Sequence, residues 1–149
     1  MKQIRALVDR EGRPVRLAWV GAERSGDVIL LRLRGDVPGG LAGAEPAWDE
    51  RTAVCVVLAS RGYPESASTG DPISGLDAVP PGVEVFHAGT AERDGQVVTA
   101  GGRVLNVTGL GVTASEARAR AYDAVHKVRF HGSQHRDDIA ARVAERVPG

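Results

Sequence analysis

The stretch QVVTAGGRVLNVTGLGVTASEARARAYDAV, Gln96 to Val125, decides the fold. Its first half holds two short runs rich in β-branched residues, Gln96 to Thr99 and Arg103 to Thr108, separated by the Gly101-Gly102 turn. Its second half opens on Thr113-Ala-Ser-Glu116, a capping box with Thr113 as N-cap and Glu116 at N3. The box predicts a helix through about Val128 whose inner stripe is Ala117, Ala121, Ala124, Val125 and Val128. A stripe of such small residues lets a helix approach a sheet closely. Strand, turn, strand and then a capped helix make an α+β unit.

Outward from this core, Val83 to Ala88 is a third strand, and Asp94-Gly95 supplies the turn before Gln96, so the three strands are expected to form an antiparallel meander. Thr52 to Ser60, TAVCVVLAS, is short and dense in Val and predicts a strand buried on both faces. Cys55 within it is read as a small buried hydrophobe. Arg61 to Val79 follows as a long loop broken by Gly62, Pro64, Gly70, Pro72 and Gly75, and a loop of that length in a compact domain is usually functional or disordered. Toward the C-terminus Ser133 is expected to cap a final helix carrying Ile139, Val143 and Val147 at a spacing of four. At the other end, Ile4 to Val8 and Val15 to Val20 flank turn residues 9–13 and predict a hairpin. Ser25 through Gly35 predicts a short helix, and Pro38 to Pro46 a linker.

The 149 residues bound this to one domain of ordinary size, able to bury roughly 70% of its unfolded surface. Nineteen basic and nineteen acidic residues cancel, which argues against nucleic acid and anionic membrane as partners. Seventeen of the basic residues are Arg, a sign of GC-rich coding that fits a bacterial source. A single cysteine, Cys55, can form neither an internal disulfide nor a multi-thiolate metal site, and a reducing cytoplasm fits. The apolar runs fall short of the roughly 20 residues of a spanning helix, and the charged opening MKQIRALVDREGR is not expected to be a signal peptide.

Several constellations could carry chemistry. Gly109-x-Gly111 ahead of a capped helix either offers backbone N–H groups to an anion or makes a tight passage between strand and helix. It lacks the third glycine of a dinucleotide fingerprint. Arg103, just after two glycines, could meet a phosphate or carboxylate with its planar fork, or make an ordinary surface ion pair. Ser68-Thr69-Gly70-Asp71 could bind a polar ligand or build an Asx-type turn. His87, His126, His131 and His135 show no metal-ligand spacing; Gly132 and Ser133 interrupt the pair at 131 and 135. No nucleophile elbow and no phosphate-binding loop with its lysine is present.

Six segments in order carry a resemblance: AVCVVLASRGYP from Ala53, TGDPISGL from Thr69, VEVFHAGT from Val83, QVVTAGGRVLNVTGLG from Gln96, ARARAYDAV from Ala117 and RDDI from Arg136. Together they resemble the C-terminal domain of the glycinamide ribonucleotide synthetase family, from about Trp48 to Ala144. Ala140 departs from the pattern, since the family usually has glycine after the Arg-x-Asp-Ile motif. The resemblance implies a ligase of the ATP-grasp superfamily in purine biosynthesis, which phosphorylates the carboxylate of glycine with ATP and magnesium before the amine of phosphoribosylamine displaces the phosphate.

The resemblance further implies a small curled antiparallel sheet with two C-terminal helices, residues 48–149, preceded over residues 1–47 by a hairpin and short helix that are a degraded remnant of an ATP-grasp domain. That remnant should carry a Glu-x-Asn metal motif. One alignment register places Leu17 and Trp19 there and another Arg16 and Ala18, so no metal ligand is carried over and no cofactor is expected to bind this chain alone. The substrate-side residues implied by motif position are Arg103 with the Gly101-Gly102 backbone for an anion, and Thr69, Asp71, His87 and Thr90 for polar closure. The chain is expected to be a truncated or stand-alone homologue, not catalytically complete alone. Its expected partner is a separate ATP-grasp subunit or a second copy of itself, with Leu17, Trp19 and Leu30 as candidate contact residues. The alternative is a non-catalytic accessory module.

Overall fold

The computed structural model describes residues 2–8, 18–25, 28–34 and 45–145, with side chains from Glu50 to Glu145. The chain divides into two compact units, one over Lys2–Asp49 and the other beginning at Glu50. In the first, β1 (Lys2–Val8) and β2 (Ala18–Ser25) belong to different sheets, so the expected hairpin between them does not form. β2 instead pairs antiparallel with β3 (Val28–Arg34), with Ser25 opposite Val28. Residues 28–34 are therefore a strand and not the short helix their mixed spacing suggested; Val28 and Ile29 are β-branched, which favours a strand. The predicted linker also ends earlier, because Glu45 and Pro46 already belong to β4 (Glu45–Ala59). Leu17 lies outside the described residues, and Trp19 and Leu30 outside the described side chains.

The second unit is built on a sheet in which β8 (Arg103–Gly111) lies between β4 and β5 (Val83–His87), antiparallel to both. Val56, Val107 and Val85 stand in one row across it. Helix α1 (Ala114–Lys127) covers one face, and Val54, Val56, Leu58, Leu105 and Val107 pack there with Ala117, Ala121, Ala124, Val125 and Val128. The predicted inner stripe is thus buried throughout. The opposite face is not equally covered. There Ala53 and Ala59 are buried, but Cys55 is half-buried and Val57 37% exposed, so the strand is buried throughout on one face and only in part on the other.

The capping box forms with one shift of partner. Glu116 N–H donates to Thr113 Oγ1 at 3.1 Å, but the Glu116 carboxylate accepts from the N–H of Val112 at 2.9 Å, one residue before the N-cap. The helix lies directly on the backbone of β8. A Cβ added to Gly109 would come 2.3 Å from the Ala117 carbonyl oxygen and 2.5 Å from the Ala121 nitrogen, and one added to Gly111 would come 2.5 Å from the Ala117 nitrogen. The Gly109-x-Gly111 spacing is therefore the seat of the helix, which decides between the two readings of that motif.

The three predicted strands do not form a simple meander. β5 pairs directly with β8, while β7 (Gln96–Thr99) pairs with β6 (Thr90–Arg93), which the sequence reading missed, in a separate two-stranded ribbon. Asp94 and Gly95 close this ribbon with both φ angles positive, as the paired turn residues require. The ribbon leaves the sheet where Gly89 crosses Gly101: Gly89 N–H donates to the Arg103 carbonyl at 2.8 Å and Ala100 N–H to the Gly89 carbonyl at 2.7 Å.

The C-terminal helix is also shorter than predicted. Ser133 caps no helix, and α2 is the single turn Ala141–Ala144. Residues 134–139 are held by other partners instead. Gln134 pairs with Ala59, the Tyr122 hydroxyl donates to the Arg136 carbonyl at 2.6 Å and accepts from Ile139 N–H at 3.1 Å, and Arg118 donates to the carbonyls of Asp137 and Ile139. Arg136 grips Asp138 at 2.7 and 2.9 Å and holds that carboxyl below its usual 3.8. The contribution of this pair is therefore complete above that value and is lost as pH falls below it.

Ala140 adopts the left-handed conformation, φ 58° and ψ 13°, at the entry to α2. A Cβ there is strained, so Ala140→Gly is expected to stabilise the protein by roughly 0.5–1 kcal/mol after its greater unfolded-state entropy is counted. A urea midpoint that fails to rise would overturn this. Gly109→Ala is expected to cost about 3 kcal/mol, because the obstructing atoms are helix backbone; a loss under about 1 kcal/mol would show that α1 can shift.

Candidate functional site

The implied site residues lie on three segments that meet at one end of the sheet. Gly101, Gly102 and Arg103 form the passage from β7 into β8, and Arg103 stands opposite Ala59 at the end of β4. His87 and Thr90 flank the turn between β5 and β6, and Ala88 and Gly89 of that turn donate to the carbonyls of Val104 and Arg103. Thr69 and Asp71 lie in the long loop, which runs beside β7: Gly70 N–H donates to the Thr99 carbonyl at 2.6 Å, Thr99 N–H to the Asp71 carbonyl at 2.9 Å and Ile73 N–H to the Val97 carbonyl at 2.9 Å.

Their side chains differ in how far they are committed. Asp71 builds its own turn. Its carboxylate accepts from the Ser68 hydroxyl at 2.8 Å and from the Thr99 hydroxyl at 3.5 Å, while its N–H donates to Thr99 Oγ1 at 3.0 Å. Thr99 is 1% exposed, so this is a buried hydroxyl serving a loop. His87 Nδ1 and Thr90 Oγ1 lie 3.1 Å apart in a hydrogen bond across their turn. Thr69 is exposed and makes no side-chain hydrogen bond to another described residue.

Arg103 is exposed, and among the described residues no carboxylate or carbonyl takes up its guanidinium. Nor do the N–H groups of Gly101 and Gly102 find a partner there, although the Gly102 carbonyl accepts from Ser60 N–H at 2.8 Å. The two glycines have packing reasons of their own. A Cβ on Gly101 would come 3.2 Å from Gly89 Cα, and one on Gly102 would come 2.4 Å from the Tyr63 ring. The result is an open passage with a free guanidinium and two free N–H donors, the chemistry that receives an anion.

Sequence reasoning missed Tyr63, Thr99 and Gly89, which set the shape of this end. Only Gly89 left a trace, as a glycine between two predicted strands. Thr99 looked like any strand residue, since nothing in its neighbours signals a hydroxyl turned toward a loop some thirty positions earlier. Among the described residues no three His, Cys, Asp or Glu side chains gather at metal-binding distance.

Comparison with known proteins places these features in a family. The model of the family described as phosphoribosylglycinamide synthetase, C domain, matches residues 53–142. The phosphoribosylamine–glycine ligase of Streptomyces coelicolor is 52% identical over 130 residues, covering 78% of this chain and 31% of that protein. That of Neisseria meningitidis is 42% identical over 153 residues, covering 94% and 36%. The crystal structure of the ligase from Thermotoga maritima is similar with a TM-score of 0.54 at 46% identity, covering 64% of this chain and 23% of that one. The chain thus spans about a third of the length of the curated relatives it matches.

Thr99→Val keeps the shape of a buried side chain but leaves the Asp71 N–H without its acceptor. It is expected to cost about 1–3 kcal/mol in chemical denaturation and to speed amide exchange at Asp71. Unchanged exchange would show that the loop is held by its backbone bonds alone.

Proposed function

Because the chain belongs to the phosphoribosylglycinamide synthetase C-domain family, we propose that it contributes substrate-side surface to ATP-dependent formation of the amide between glycine and phosphoribosylamine. The single observation that carries this reading is the free Arg103 guanidinium beside the unpaired N–H groups of Gly101 and Gly102. These groups receive the anionic part of a phosphoribosyl ligand. The Arg fork matches phosphate oxygens, and the adjacent N–H donors add bonds to the same charge. Thr69, His87 and Thr90 close the site with polar groups, and Asp71 shapes the loop that presents Thr69.

A carboxylate is a poor electrophile, and phosphorylation from magnesium-bound ATP makes it a good one. The described residues do not fit that role, since they offer no cluster of carboxylates for magnesium. No step is therefore assigned here to ATP or to the metal. In this reading both are held by a separate ATP-grasp polypeptide in the cytoplasm, residues 48–149 form the C-terminal-type domain, and residues 1–47 are what remains of an ATP-grasp end. The alternative is a non-catalytic accessory module beside such a ligase; amide formation by the reconstituted pair separates the two.

Isothermal titration of the chain with ATP and magnesium is expected to show no binding, and tight metal-dependent binding would overturn the division of labour. Arg103→Ala is expected to weaken affinity for a phosphoribosyl ligand by about 1.5–3 kcal/mol through loss of the charge-assisted bond. Unchanged affinity removes Arg103 from the site.

A further inference from the structure

At the end of the sheet where the anion donors lie, one aromatic side chain is fixed in position and yet left open. Tyr63 lays the Cδ2–Cε2 side of its ring against Gly102, so closely that a Cβ on that glycine would meet Cδ2 and come 2.9 Å from Cε2. The turn that carries Tyr63 is tied to the same glycine. Ser60, fully buried, donates its N–H to the Gly102 carbonyl at 2.8 Å, and its own carbonyl accepts from Tyr63 N–H at 3.3 Å and from Gln134 Nε2 at 3.0 Å. Ser66 N–H closes the turn on the Gly62 carbonyl at 2.9 Å. Tyr63 is nevertheless 40% exposed, and its hydroxyl has no hydrogen bond to a described residue.

We propose that Tyr63 sets specificity at this end by receiving the sugar ring of a ligand whose phosphate is held by Arg103 and the N–H groups of Gly101 and Gly102. The assignment rests on the anion-binding role proposed for those donors and adds what they cannot supply, since a guanidinium and two N–H groups accept any small oxyanion. A ribosyl group combines an apolar C–H face with a rim of hydroxyls. A tyrosine matches both, with an apolar ring and a polar tip. In a pentose 5-phosphate only a methylene and an oxygen join the sugar ring to the phosphorus. The two parts of the ligand are thus close neighbours, as are the Tyr63 ring and the Gly102 backbone it touches.

The chain has two tyrosines, and the other shows what a tyrosine committed to the fold looks like. Tyr122 is 9% exposed, and its hydroxyl is taken up by the Arg136 carbonyl and the Ile139 N–H. Tyr63 has neither that burial nor those partners, although its position is fixed by the glycine beneath it and by the turn through Ser60. A ring already held in place loses little freedom when a ligand covers it, so more of the contact appears as affinity.

Titration of the full chain with ribose 5-phosphate and with glycerol 3-phosphate, a phosphate ester without a sugar ring, tests the assignment. Tyrosine ring NMR signals report the contact, with Tyr122 as the internal reference. Ribose 5-phosphate is expected to bind about fivefold more tightly and to shift the signals of Tyr63 but not those of Tyr122. Tyr63→Ala removes this preference and leaves the affinity for glycerol 3-phosphate unchanged, which shows that the phosphate donors are intact. In Tyr63→Phe, which keeps the ring on Gly102, the preference is reduced but present, and Arg103→Ala weakens both ligands alike. Equal affinity for the two ligands, or a preference that persists in Tyr63→Ala, overturns the role of Tyr63 while leaving Arg103 in the site. Affinity that does not respond to Arg103→Ala, or no binding of either ligand at millimolar concentration, overturns the anion site and this inference with it.

Discussion

The contact between α1 and the backbone of β8 at Gly109 and Gly111 sets the geometry of everything around it. With no Cβ on the strand and alanines on the helix, backbone approaches backbone, and the apolar residues of β4 and β8 close over the helix stripe. The same contact settles where Tyr122 stands, because it is one residue beyond Ala121. From there its hydroxyl holds the Arg136 carbonyl and the Ile139 N–H. A close-packed interior transmits position in this way because it has no slack to absorb a shift.

The candidate site depends on this core at one remove. The strands deliver Arg103, His87 and Thr99 to the same end of the sheet, and the Gly89–Gly101 crossing turns the ribbon out so that the long loop can lie along β7. The loop is then held by backbone bonds to Val97 and Thr99 and by one buried hydroxyl. Carboxylate chemistry at Asp71 is spent on that turn, whereas the Arg103 guanidinium is left open. The division between a committed carboxylate and an open guanidinium leaves this end with uncommitted donors, in a chain whose formal charge is zero.

Much of the second unit was legible beforehand. The capping box, the buried stripe, the Asp94-Gly95 turn and the strand from Thr52 all rest on local rules, in which a side chain acts on backbone within a few positions. The failures share a cause. Residues 28–34 carry a pattern compatible with both helix and strand, and pairing with β2 decided it. Ser133 is a good cap residue that caps nothing, because Tyr122, Arg118 and Ala59 hold the backbone after it in another form. β6 was invisible because Thr90 to Arg93 has little apolar character and is a strand only by pairing with β7.

The sequence by itself determined the α+β character, the long helix with its start and buried face, the tight turns and the family likeness, since each is written in residue type and short spacing. Only the tertiary structure decided what the glycines are for and which polar groups remain free. Gly109 and Gly111 seat a helix instead of holding an anion, Gly101 and Gly102 admit a crossing chain and an aromatic ring, and His135 meets His126 instead of His131. Those outcomes depend on atoms brought together from distant positions, and a missing side chain has no meaning until the neighbour that fills its space is known.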